Sequence, residues 1–165
     1  MTHALRWARR ITVDLRAGVG AWFVFRLADD STHGADEGLI VRQRGNRRRP
    51  FFLTKRYFVL RQYTFAAPGG SRRLRNSSVA GLPSLGFRRP DGKLSVVVAN
   101  TGSRSRLIRI NFGTTGNGRL LIRQTSRSKS FAELPARRYP GRAVLMRLPA
   151  KSATTVVLVG EASAP

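Results

Sequence analysis

The sequence predicts a mainly β protein, an antiparallel β-sandwich over the C-terminal part preceded by a short helix–strand–helix segment of α/β type. Three observations carry this. Up to about residue 17 the apolar residues recur every three or four positions, the helical period. Ala21-Trp22-Phe23-Val24-Phe25 is apolar without alternation, as expected of a strand buried on both faces. Beyond residue 70 the period becomes two, with turn residues about every ten positions, as in sandwiches and barrels.

In the first helix, expected over 2–17, Ala4, Leu5, Ala8, Ile11 and Leu15 form the stripe. Thr2 is placed to cap its start, and Gly18 to end it in a left-handed conformation. Helix, glycine turn and buried strand make one unit of an α/β fold. A loop follows, Leu27 to Glu37, which holds four of the eight acidic residues (Asp29, Asp30, Asp36 and Glu37) and one of the two histidines, His33. Gly38 to Val41 reads as a short strand or loop edge, and Asn46 to Pro50 as a basic turn. A second helix is expected from Thr54, with Tyr57, Leu60, Arg61 and Thr64 on one face, until Pro68-Gly69-Gly70 stops it.

Seven strands are expected after it: 72–77, 85–89, 94–100, 107–112, 120–124, 144–148 and 154–159. Asp91-Gly92 marks a hairpin between the second and third. Two domains are therefore expected, 1–69 and 70–165, meeting at Gly69-Gly70.

Composition limits the function. The chain has 165 residues, 41% of them apolar, enough for a buried core. No window is apolar for the roughly 18 residues of a membrane span, and Met1 to Arg10 carries no apolar signal-peptide core; the compartment stays open. Cysteine is absent, which removes disulfides and thiolate chemistry. Two distant histidines give no metal spacing, and no cofactor motif is present: Gly113 to Gly118 lacks the lysine of a phosphate loop. The net charge of +23 attracts polyanions. All but four of the cations are arginines, spread along the chain, a bias that a GC-rich genome also produces; specific nucleic-acid binding is not expected.

The order of these segments resembles the C-terminal region of glycoside hydrolase family 30 enzymes. Ala21 to Phe25 resembles the last strand of that family's (β/α)8 barrel. Lys55-Arg56-Tyr57-Phe58-Val59-Leu60-Arg61-Gln62-Tyr63-Thr64-Phe65-Ala66-Ala67-Pro68-Gly69 resembles its last barrel helix and the Pro-Gly turn at the domain junction. Phe87 to Asn100 resembles a hairpin of its β-sandwich, and Leu148 to Val156 the closing strand.

The resemblance implies a retaining O-glycosidase as parent, with nucleophile and acid/base glutamates about 5–5.5 Å apart. They would sit on the fourth and seventh barrel strands, upstream of what this sequence matches. Glu37, Glu133 and Glu161 do not match them, so no catalytic residue transfers. The resemblance places Phe25 at the floor of a sugar subsite. It places Asp29, Asp30 and His33 in a loop at the barrel mouth, where polar groups reach sugar hydroxyls. The implied partners are a β-linked glycan or glycolipid and an upstream barrel fragment, whose absence would leave the segment 1–65 docked loosely or against the sandwich, and the sandwich with an open edge. Two other readings stay open: a separate carbohydrate-binding accessory sandwich, and a basic nucleic-acid binder. Clustering of arginine on one face would favour the last.

Overall fold

The computed structural model describes residues 1–30, 38–43, 45, 47, 48, 51–77 and 79–160. Helix α1 (Thr2–Arg16) buries Ala4, Leu5, Ala8 and Ile11, as its stripe predicts. It starts at the expected residue, but the cap differs. The Met1 carbonyl already accepts from Leu5 N at 3.0 Å, so Thr2 lies inside the helix and Met1, without a side-chain bond, is the cap. Gly18 ends the helix at φ 98°, a left-handed conformation open to glycine.

Ala21 to Phe25 is not a strand. It is irregular, with Phe23 87% and Phe25 98% exposed. An apolar run becomes an interior strand only where neighbours hydrogen-bond both its edges, and none of the described strands pairs with it. Trp22 and Val24 are half-buried, and Trp22 packs inward. It packs edge-to-face on Trp7 at 5.5 Å and donates from Nε1 to Asp14 at 3.2 Å. The strands of this segment come later, as β1 (Ala28–Asp30), β2 (Ile40–Arg42) and β3 (Phe51–Leu53), in the order β1-β2-β3. β1 runs parallel to β2, and β2 antiparallel to β3.

Helix α2 (Lys55–Ala66) starts at Thr54, whose hydroxyl accepts from Tyr57 N at 3.5 Å. The face of Tyr57, Leu60, Arg61 and Thr64 is not the buried one: Tyr57 and Leu60 are half-buried, and Arg61 and Thr64 are exposed. The buried residues are Arg56, Val59, Gln62, Tyr63 and Ala66. The reason lies across the interface, where the sheet presents hydroxyls. Gln62 donates to Thr125 Oγ1 at 2.9 Å, Thr155 Oγ1 to the Gln62 carbonyl at 3.0 Å, and Ser95 Oγ to the Ala66 carbonyl at 2.6 Å. A helix on a hydrogen-bonding surface is not found by apolar periodicity. These bonds also dock the N-terminal segment firmly.

The remaining strands are β4 (Arg72–Leu74), β5 (Ser84–Arg88), β6 (Leu94–Asn100), β7 (Arg106–Ile110), β8 (Gly118–Thr125), β9 (Ala132–Tyr139), β10 (Val144–Leu148) and β11 (Ser152–Gly160). Six form an antiparallel sheet, β4-β5-β6-β11-β8-β9, and β7 pairs with β10 in a second. The large sheet is the middle layer. On one face Leu85, Phe87, Val97, Ala99 and Ala153 meet Ala4, Leu5, Ala8, Ile11, Val59 and Tyr63 of the helices. On the other, Val98, Leu120, Ile122, Val156 and Leu158 meet Ile110, Met146 and Leu148 of the small sheet.

β9 was not expected. It reads as polar, with Leu134 its only large aliphatic residue and Pro135 inside. It is an edge strand. Its register against β8 jumps from Leu120↔Arg137 to Ile122↔Leu134, so two residues, one of them Pro135, face one on β8. A proline without an N–H is tolerated at such a bulge. Gly141 is constrained more tightly, with φ 73° and an added Cβ colliding with the Thr115 carbonyl. We expect Gly141→Ala to cost about 1–3 kcal/mol, read as a lower urea midpoint. An unchanged midpoint would refute this contact.

Candidate glycan-facing site

Of the four residues expected to face sugar, the structure places three. Phe25 follows the irregular run, and its ring is in solvent. Asp29 and Asp30 lie on β1, in register with Val41 and Arg42 of β2. His33 lies outside the described residues. The Asp29 carboxylate receives Arg26 Nη1 at 3.4 Å, and its side chain is only 9% exposed. Asp29 is thus an anchored carboxylate, and Phe25 an exposed ring four residues before it. Gly38 sets this arrangement, since a Cβ there would come within 2.8 Å of Asp29 Cβ and 2.9 Å of Asp29 N. Gly38→Ala is expected to push β1 off β2, visible as faster amide exchange across Ala28–Asp30; unchanged exchange would argue against the close fit.

The sequence reading missed the extent of the apolar surface. Phe23, Leu27, Phe51, Phe52 and Leu53 are exposed as well as Phe25. Such exposure marks a contact surface. The sequence signal was the non-alternating run itself, which needs cover wherever it sits.

Among the described residues no group of three or more histidine, aspartate or glutamate side chains gathers into a metal site. The carboxylates whose side chains are described are each engaged with a cation: Asp14 with Arg10 at 2.9 Å, Asp29 with Arg26, Asp91 with Lys93 at 2.9 Å and Arg89 at 3.3 Å, and Glu133 with Arg123 at 2.7 Å. The Lys93 hydrogen bond holds the Asp91 carboxyl below its usual range, helped by the nearby Arg89 charge. Partial burial lowers the Lys55 ammonium. No described helix is long and apolar enough to cross a membrane.

On the sandwich side a groove of about 270 Å³ runs beside β7. Leu74, Gly86, Val96 and Val98 are among its floor residues, and Ile108, Ile110 and Phe112 line its wall. β7 pairs only with β10, so its edge toward the groove carries no strand.

Three layers of this kind, with a helical segment hydrogen-bonded onto a six-stranded antiparallel sheet, define a β-sandwich of the type attached to glycosidase barrels. The model of the glycosyl hydrolase family 30 beta sandwich domain matches residues 70–156, more than half of the chain. The chain belongs to glycoside hydrolase family 30, as its C-terminal, sandwich-bearing region. Among solved structures, the family 30 subfamily 8 xylanase Xyn30A from Clostridium acetobutylicum superposes with a TM-score of 0.74 at 18% identity, over 95% of this chain and 38% of that one. The catalytic domain of xylanase C from Talaromyces cellulolyticus gives 0.69 at 18%, over 94% and 35%. The family 30 endoxylanase from Clostridium papyrosolvens C71 gives 0.58 at 24%, over 67% and 28%. At these identities the likeness is one of fold, and the chain spans 28–38% of the length of these structures. No curated protein matches the sequence.

Proposed function

We propose that this chain is the C-terminal part of a retaining O-glycosidase, supplying the supporting β-sandwich and one wall of the sugar site. In this reading residues 1–69 are the end of a (β/α)8 barrel and residues 70–165 the sandwich. The two catalytic glutamates come from a barrel segment outside this sequence, on the same polypeptide or a separate one. The family 30 sandwich match over residues 70–156 carries the reading. Three features support it. Each placed carboxylate with a described side chain already has its own cation, unlike a pair poised about 5–5.5 Å apart for retaining chemistry. Phe23, Phe25 and Leu27 leave an apolar surface suited to further barrel strands. The groove beside β7 suits the further sandwich strands that the family resemblance implies.

Within the completed site, Phe25 stacks on the apolar face of a pyranose, and Asp29, Asp30 and His33 face its hydroxyls. The substrate is a β-linked glycan. The purified chain alone is expected to release no product from xylan, β-glucans or aryl β-glycosides. Co-expression with an upstream segment encoding the earlier βα units and two glutamates is expected to restore hydrolysis. Turnover by the 165-residue chain alone would overturn the proposal, as would unrelated coding sequence upstream. In the restored enzyme Phe25→Ala is expected to weaken apparent substrate affinity about five- to tenfold, the worth of one aromatic contact of about 1 kcal/mol. An unchanged KM would remove Phe25 from the site.

A further inference from the structure

Six of the 31 cations line one side of the molecule, along α2 and strands β8 and β9. α2 turns Lys55, Phe58, Arg61 and Phe65 toward the β8–β9 side, at three- and four-residue spacing. At one end Lys55 Nζ donates to the Lys129 carbonyl at 2.9 Å and to Ser130 Oγ at 3.0 Å. The Arg61 guanidinium lies 4.3 Å from the centre of the Phe131 ring, and Phe131 packs edge-to-face on Phe65 at 5.5 Å. Arg123 sits 5.6 Å from Phe131 and 5.9 Å from Phe65, and Arg89 5.6 Å from Phe65. Along β8 the strip continues to Arg119, on the same side of the strand as Arg123, and across to its partner Arg138.

Two features of this strip are costly for a surface that meets only water. Arg119 and Arg138 are directly opposed across the strands, a placement that like charges disfavour. Phe131 holds φ 55°, a left-handed conformation rare for a bulky residue. Its ring lies 4.3 Å from the Arg61 and 5.6 Å from the Arg123 guanidinium carbon. Of the six cations, Arg123 has Glu133 and Arg89 has Asp91. Lys55, Arg61, Arg119 and Arg138 have no carboxylate partner among the described residues. Four positive charges therefore share this side without a carboxylate partner among the described residues, and one of them, the Arg61 guanidinium, rests over a ring. A guanidinium so held is set for forked bonds to oxyanions, with little rotamer freedom left to lose.

We propose that this strip binds a polyanionic polysaccharide, a sugar chain bearing carboxylate or sulfate groups. The rings favour such a chain over nucleic acid. Single-stranded nucleic acid is held by stacking bases on open aromatic faces, whereas Phe131 is 8% exposed and capped by guanidiniums. The strip is built from residues of the sandwich and α2, none of them Phe25 or a residue of β1, and does not depend on the catalytic reading.

The test is affinity electrophoresis of the full chain in gels containing polygalacturonate, heparin or neutral xylan, beside titration with a single-stranded oligonucleotide. Retardation is expected in the two acidic gels, carboxylate and sulfate arms reporting which anion is preferred, with none in xylan. Arg119→Ser with Arg138→Ser is expected to lower that affinity about tenfold at physiological salt. Arg6→Ser with Arg9→Ser, an equal loss of charge on exposed positions of α1, is expected to change it less than twofold. Lys55→Ser with Arg61→Ser probes the other end of the strip and serves should the first pair fail to fold. Equal losses from strip and control variants would reduce the binding to net charge and overturn the proposal. So would oligonucleotide binding as tight and as sensitive to the strip variants, or no retardation in either acidic gel. Binding is read on the chain alone, so failure here leaves the glycosidase reading standing, and the reverse.

Discussion

Tyr139→Ala is expected to remove about 3–5 kcal/mol of stability, the usual cost of deleting a buried aromatic ring. Tyr139 is the largest fully buried side chain among the described residues. Its ring packs edge-to-face on Phe112 at 5.6 Å inside the core between the two sheets. Its hydroxyl donates to the Arg142 carbonyl at 2.7 Å and accepts from Phe112 N at 3.3 Å. The residue therefore joins the end of edge strand β9 to the turn before β10 and to the end of β7. Domains of this size are stable by about 5–15 kcal/mol, so the loss takes a large fraction of the whole. Tyr139→Phe keeps the ring and gives up the hydroxyl bonds, for about 1–2 kcal/mol. Urea titration separates the two: the midpoint falls far in the first and modestly in the second, with the slope unchanged. A Tyr139→Ala midpoint within error of the parent would show that the small sheet does not depend on this contact.

The second large effect is expected at Tyr63, which holds the helices together on the other face of the sheet. Its hydroxyl donates to the Ala8 carbonyl at 2.8 Å and lies 3.0 Å from Thr12 Oγ1. Tyr63→Ala leaves both α1 groups without their partner and opens a cavity, again for about 3–5 kcal/mol. Both tryptophans of the chain, Trp7 and Trp22, pack together on α1. Their fluorescence is expected to shift to the red at lower urea than the sheet unfolds, because α1 loses its anchor first. A single coincident transition would contradict that order.

Burial pushes the Tyr63 phenol far above its ordinary value near 10. The sign follows from that direction. A group whose pKa is raised on folding contributes stability that is full below the unfolded value and is lost as pH rises above it. The parent is thus expected to lose stability above about pH 10, and Tyr63→Phe to lose less over that interval. Parallel alkaline limbs for the two would exclude Tyr63 as the cause.

The elements legible in the sequence are those whose signal is local. The stripe of Ala4, Leu5, Ala8 and Ile11 specified α1, and Gly18 specified its end, because each acts through the period or the backbone of its own segment. Strands β6 and β10 fall where the period of two and the turn residues put them, at Leu94–Asn100 and Val144–Leu148. The family was legible too, because ordered motifs survive although each is weak alone.

Other features were settled only by what each segment packs against. The face of α2 that is buried was chosen by Ser95, Thr125 and Thr155 on the sheet beneath, since hydrogen-bonding partners accept Gln62 where periodicity asks for an aliphatic residue. β9 is a strand because β8 offers an edge and a bulge absorbs Pro135, which no local propensity reveals. Ala21 to Phe25 has the composition of an interior strand and lacks described neighbours to make it one. The basic strip is likewise tertiary. Lys55, Arg61, Arg119, Arg123 and Arg138 are scattered through the sequence as part of a general arginine excess. Only the fold, by setting α2 beside β8 and β9, brings their charges onto one face. The sequence by itself thus determined the helix period, the sandwich and the family. The tertiary structure decided which faces are buried and where charge collects, because both depend on partners distant along the chain.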